Sequence, residues 1–80
     1  MLQPTNAAEL DAVARRLLDE ADKNLVLVAS KPLTGGAREQ YDNAMRFVRQ
    51  AREALSAKNY LYATQLATNA NTLARLLIKR

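Results

Sequence analysis

Two carboxylate pairs stand at helical spacing, Asp19 with Asp22 and Glu39 with Asp42. Residues three apart share one face of a helix. Each pair is therefore the least from which a general acid–base couple, or half of a dinuclear metal site, is built. Metal sites in helical bundles add a histidine and turn inward. This chain has no His and no Cys. Imidazole and thiolate zinc ligands, Ser-His triads and imidazole proton shuttles are thereby excluded. Both pairs also fall opposite the apolar stripes of their helices, so they read as solvated surface. The stretch "TGG" at Thr34–Gly36 opens a helix and offers free N–H groups to a phosphate. It lacks the Lys-Ser/Thr of a phosphate-binding loop, and no strand precedes it; it reads as the loop leading into a helix. The expectation is no enzyme, with no catalytic residue, no metal and no cofactor.

Binding chemistry has two candidate carriers. Arg46, Arg49 and Arg52 repeat every three residues, with Arg38 a little apart. Such a stripe suits phosphates or an acidic partner. Asp42 and Glu53 flank it, and neither an exposed aromatic row nor a recognition-helix motif accompanies it. Binding of nucleic acid or another polyanion is thus the alternative function, a solvated and partly paired face the plainer reading.

The second carrier is "NYLYATQLATNANTLA", Asn59–Ala74, which holds no charged side chain. Thr64, Thr68, Asn71 and Thr72 lie beside one edge of its apolar seam. A neutral polar face is cheaper to desolvate than a charged one, and interface cores are depleted in charge for that reason. These four residues are the expected protein-interaction surface, covered by the first helix, by a second copy in a weak homodimer, or by another protein. Of Leu61 and Tyr62, which fall off the seam, one is expected to be exposed.

Three elements position these groups. After Thr5 or Asn6 as cap, with Glu9 at capping-box spacing, apolar residues recur at Leu10, Val13, Ala14, Leu17, Leu18, Ala21, Leu25 and Val28, the period of one helical face. That register carries through "NLVLVAS", so a first helix is predicted over about 6–30. Pro32 and two glycines break it. A second helix is predicted over 36–57, burying Ala37, Tyr41, Ala44, Met45, Val48, Ala51 and Leu55, with Phe47 and Ala54 at the edges. Asn59 is expected to take the left-handed turn position or to cap a third helix over 60–79. There Ala63, Ala67, Ala70 and Ala74 form a small-residue seam that admits a close neighbour.

Eighty residues make one domain, 1–80. Its hydrophobic fraction is 49%, but fifteen of those residues are Ala, each burying little area. Short connections make neighbouring helices antiparallel. The predicted fold is an all-α, up-down-up three-helix bundle, its Ala-rich hairpin of helices two and three the most regular part. The net charge of +4 is uneven: about −1 over 6–31, +2 over 37–58 and +3 over 59–80. The longest apolar run, Leu25–Ala29, is far too short to span a bilayer. The N-terminal residues lack the pattern of a signal peptide, which leaves the cytoplasm, or a bacterial envelope if a signal segment was removed from a longer parent.

"EALSAKNYLYATQLATNANTLARLL" sets Ala54-Leu55, Tyr60, and Ala63, Ala67 and Ala70 around a short turn. This resembles the centre of a tetratricopeptide repeat, and also helical-hairpin domains of unknown function in bacterial lipoproteins. The resemblance covers residues 44–77. It lacks a second copy at the repeat period, the Trp or Gly of the first repeat helix, and the closing Pro. What it implies is a hairpin packing mode and a bacterial, non-enzymatic interaction or scaffolding module.

Overall fold

The apolar residues of each predicted helix recur on one face, and in the computed structural model, which describes residues 7–79, those faces meet. Helix α1 spans Ala7–Ala29, α2 Gly35–Ser56 and α3 Tyr60–Lys79. No strand occurs among the described residues. The expected cap at Thr5 or Asn6 lies outside them. At 23, 22 and 20 residues, the helices are nearly matched in length, as burying three stripes against one another requires. The bundle measures 46 × 20 × 15 Å.

"NLVLVAS" is helical to Ala29, because Leu25 and Val28 continue the buried register of Ala14, Leu18 and Ala21. Ser30 then closes a tight turn, its hydroxyl donating to the Leu27 carbonyl at 2.7 Å. The second helix starts one residue earlier than expected. Thr34 is extended (φ −137°, ψ 156°), and Gly35 turns the chain at φ +57°, a conformation that costs glycine almost nothing.

Helix α3 is the central element. It packs as extensively on α1 as on α2, whereas α1 and α2 touch each other far less. The α2–α3 hairpin thus packs as extensively as the α1–α3 pair, and no more. Asn71 of α3 meets Glu20 and Asn24 of α1, and Ile78 meets Lys31; both sequences advance together, so α1 and α3 run parallel and α2 is the antiparallel member. The core joins Ala14, Leu18 and Ala21 of α1 to Val48, Ala51 and Leu55 of α2 and to Leu66 and the four seam alanines of α3. Tyr41, Phe47 and Tyr60 pack at its margin. Met45 departs from the expected inner face and is 37% exposed. Its place one residue beyond Ala44, about 100° around the helix, turns it outward, where it lines a surface hollow with Val48, Arg49 and Arg52.

In the α2–α3 turn Asn59 takes the second of its two expected places, at the start of α3, and not the left-handed position. Lys58, not Asn59, adopts the left-handed conformation, at φ 64°. The Asn59 N–H donates to the Ala54 carbonyl at 2.8 Å and the Lys58 N–H to that of Leu55 at 2.9 Å. These are the paired bonds of a Schellman motif, and its register forces the positive φ one residue before Asn59. The Asn59 carbonyl then accepts the first helical bond of α3 from the Ala63 N–H.

Candidate interaction faces

The inner side of α3 is set by Ala63, Leu66, Ala67, Ala70, Ala74 and Leu77, all buried. At 100° per residue, the side opposite is centred on Leu61, Gln65, Thr68, Thr72 and Leu76. All five are solvent-exposed, with Tyr62 and Asn69 at the margin. Leu61 is 66% exposed, Leu76 52% and Tyr62 50%. Leu61 and Tyr62 are thus both on the surface, where the sequence suggested only one. Leu76 joins them two residues beyond the uncharged stretch; its spacing of fifteen from Leu61, about four helical turns, is the signal that places both on one face.

The four residues expected to form one interaction surface divide. Thr68 and Thr72 face solvent, and Thr64 is half-buried. Asn71 is buried at 5% exposure, covered by α1. Its amide oxygen accepts from Asn24 Nδ2 at 3.0 Å, and its Nδ2 donates to Glu20 Oε1 at 3.0 Å. A buried amide needs such partners, and both come from within the chain, so Asn71 belongs to the α1–α3 seam rather than to an outer surface. The threonine hydroxyls are also committed. Thr64 Oγ1 donates to the Tyr60 carbonyl at 2.9 Å and Thr68 Oγ1 to the Thr64 carbonyl at 2.8 Å.

Arg46, Arg49 and Arg52 are all exposed on α2, but not equivalent. Arg52 Nη2 donates to Asp22 Oδ2 across the α1–α2 opening. Arg46 and Arg49 have no ion-pair partner among the described residues. Arg38 pairs within its own helix with Asp42 at 3.7 Å, as Arg15 does with Asp11 at 3.0 Å. Because α1 and α2 meet so little, a solvent-open groove of ≈ 440 Å³ lies beside Arg52, walled by Arg15, Asp19 and Ser56 over Leu18 and Leu55. Its charges are of both signs, which is poor focusing for a polyanion.

Among the described residues no group of three or more carboxylates is placed to hold a metal ion, and no helix is long and apolar enough to cross a membrane. No family model, curated protein or solved structure matches this chain.

Proposed function

We propose that the chain is a non-enzymatic helical interaction or scaffolding module that meets a protein partner through the outer face of α3. One observation carries this reading. From Asn59 to Ala74 the outer face of α3 holds no charge, and Leu61, Tyr62 and Leu76 lie on it in the open. Solvated helix faces are ordinarily laced with charge, as those of α2 and of α1 up to Lys23 are here; only the last turns of α1, with Val26 and Leu27 exposed, share the uncharged character, over a shorter length. Apolar side chains along an uncharged strip, with Leu76 at its charged end beside Arg75 and Lys79, are what a partner covers at low desolvation cost. The hairpin-type protein binding implied by the tetratricopeptide resemblance belongs to the same proposal. Polyanion binding is the alternative. It rests on Arg46 and Arg49, since Arg52 is engaged with Asp22.

Affinity capture with paired variants separates the two. Thr72→Glu should abolish capture of a protein partner, and Arg46→Gln with Arg49→Gln should leave it unchanged. Nucleic acid that co-purifies, is lost at high salt and disappears in the arginine variant would establish the alternative instead.

A further inference from the structure

We infer that the outer face of α3 is built for a second copy of this chain, packed antiparallel about a two-fold axis between Thr68 and Asn69. The inference rests on the interaction reading above and names its occupant. In an antiparallel symmetric helix pair, each residue on one copy lies level with the residue equally far beyond the axis on the other. An axis between 68 and 69 brings Leu61 level with Leu76 of the second copy, and Gln65 level with Thr72. Thr68 and Asn69 then flank the axis itself. All the exposed leucines of α3 are used, each copy's Leu61 and Tyr62 closing over Leu76 of the other. Gln65 and Thr72 are left to bond across the seam.

Charge distribution favours a like partner. Near a two-fold axis a side chain meets its own copy, so any charge there meets the same sign. The outer face of α2 carries charge throughout, and that of α1 as far as Lys23. Beyond Lys23 the uncharged surface of α1, where Val26 and Leu27 lie in the open, runs for only about two turns before Lys31, too short to pair in this way. On α3 the central turns carry none. Arg75, exposed beside Thr72 and Leu76, falls level with Tyr62 of the second copy and far from its own counterpart, and Lys58 and Lys79 fall level at the rim. The Thr68 hydroxyl is already bonded within its helix, so covering it strands no donor. The face also points directly away from the core, so α1 and α2 of neither copy obstruct the approach. A contact one helix wide and about 22 Å long belongs to the small, transient class of interfaces, so the expected association is weak and rises with concentration. Two copies of net charge +4 repel at long range, and added salt should strengthen the pair.

The sequence has no cysteine, so single-cysteine variants report the geometry cleanly. Helix axes at about 8–10 Å bring Thr68 of the two copies within disulfide reach, while the two Leu61 positions lie about 22 Å apart along the axis. Thr68→Cys should oxidise to a covalent dimer at concentrations where Leu61→Cys stays monomeric. An equimolar mixture of Leu61→Cys and Leu76→Cys should give the mixed dimer. Sedimentation of the unmodified chain should show a dimer fraction that grows with concentration and with salt, and Thr72→Glu should remove it while circular dichroism keeps its helical signal. Equal cross-linking of Thr68→Cys and Leu61→Cys would overturn the antiparallel pair. So would an unmodified chain that remains monomeric throughout. In that event partner capture sensitive to Thr72→Glu still upholds the interaction reading, and capture indifferent to it removes both.

Discussion

Helix α3 meets its two neighbours over comparable lengths by opposite means. On the α2 side the contact is dry. Val48, Ala51, Ala54 and Leu55 are buried, and no side-chain hydrogen bond links α2 to α3 among the described residues. On the α1 side the same apolar packing is threaded by Asn24, Asn71 and Glu20, and closed at one end by Lys31 Nζ donating to the Ile78 carbonyl at 3.1 Å. Hydrophobic burial is non-directional; a seam of alanines fits nearly as well one turn along. An amide that must be satisfied does not tolerate the slip, because a stranded buried polar group costs about 1–3 kcal/mol. The dry seam thus supplies attraction and the polar one register. This division matches the chain order. A five-turn hairpin with a short turn has its register set by that turn, whereas α1 reaches α3 only across the whole of α2.

The largest expected effect lies on the dry side. Leu66 is 5% exposed and stands five residues before Asn71, about 140° around the helix, on the flank toward α2. Leu66→Ala should cost about 2–5 kcal/mol through lost burial and the cavity left behind. A domain of this size has roughly 4–12 kcal/mol in all, so denaturant unfolding should show a large fall in midpoint. A loss below about 1 kcal/mol would mean that the seam is loose and α2 is held by something else.

On the polar side the expected loss is smaller but of a different kind. Asn71→Ala removes two hydrogen bonds, each worth about 0.5–1.5 kcal/mol net, while Asn24 and Glu20 remain near enough to solvent to recover partners. The total should be about 1–2 kcal/mol. Asn71→Leu separates stability from register. If the polar triad only adds stability, the leucine variant should be little changed. If it sets register, the variant should keep its stability while the α1 amide signals broaden from exchange between alignments. A double-mutant cycle between Asn71→Ala and Glu20→Gln, read by denaturation, apportions the pair.

These two seams were unequally legible beforehand. Apolar periodicity located all three helices to within a residue or two, and it carried "NLVLVAS" correctly into α1 because Leu25 and Val28 kept the register. Periodicity cannot rank two neighbouring positions at the edge of a stripe, which is why Met45 was assigned inward beside Ala44. The polar contacts were invisible for a different reason. Asn71 bonds residues 47 and 51 positions away, and Arg52 meets Asp22 across 30. Such pairs depend on the offset between helices, which a single sequence does not encode locally. The uncharged stretch at Asn59–Ala74 was legible as a signal, yet it merged two surfaces: Asn71 lacks charge because α1 covers it, whereas the residues around Thr68 lack charge in the open.

The smallest expected effect concerns the turn that joins the dry pair. Lys58 holds φ 64° with a β-carbon that disfavours this region by about 1–2 kcal/mol. The two backbone bonds of the Schellman motif, together with the apolar hairpin on either side, keep it there. Glycine adopts the same conformation without that penalty, but it also gains freedom in the unfolded chain. The net gain for Lys58→Gly should therefore be about 0.5–1 kcal/mol, a rise in melting temperature of roughly 2–8 °C for a domain of this length. Lys58→Ala keeps the β-carbon and removes the charge, so it should leave stability within about 0.5 kcal/mol of the unmodified chain. Equal gains from glycine and alanine would show that charge, not backbone conformation, limits the turn. No gain from glycine would show that the dry seam already over-determines the turn. In both cases calorimetry of the two variants decides how much of the α2–α3 alignment is stored in the connection and how much in the packing on either side of it.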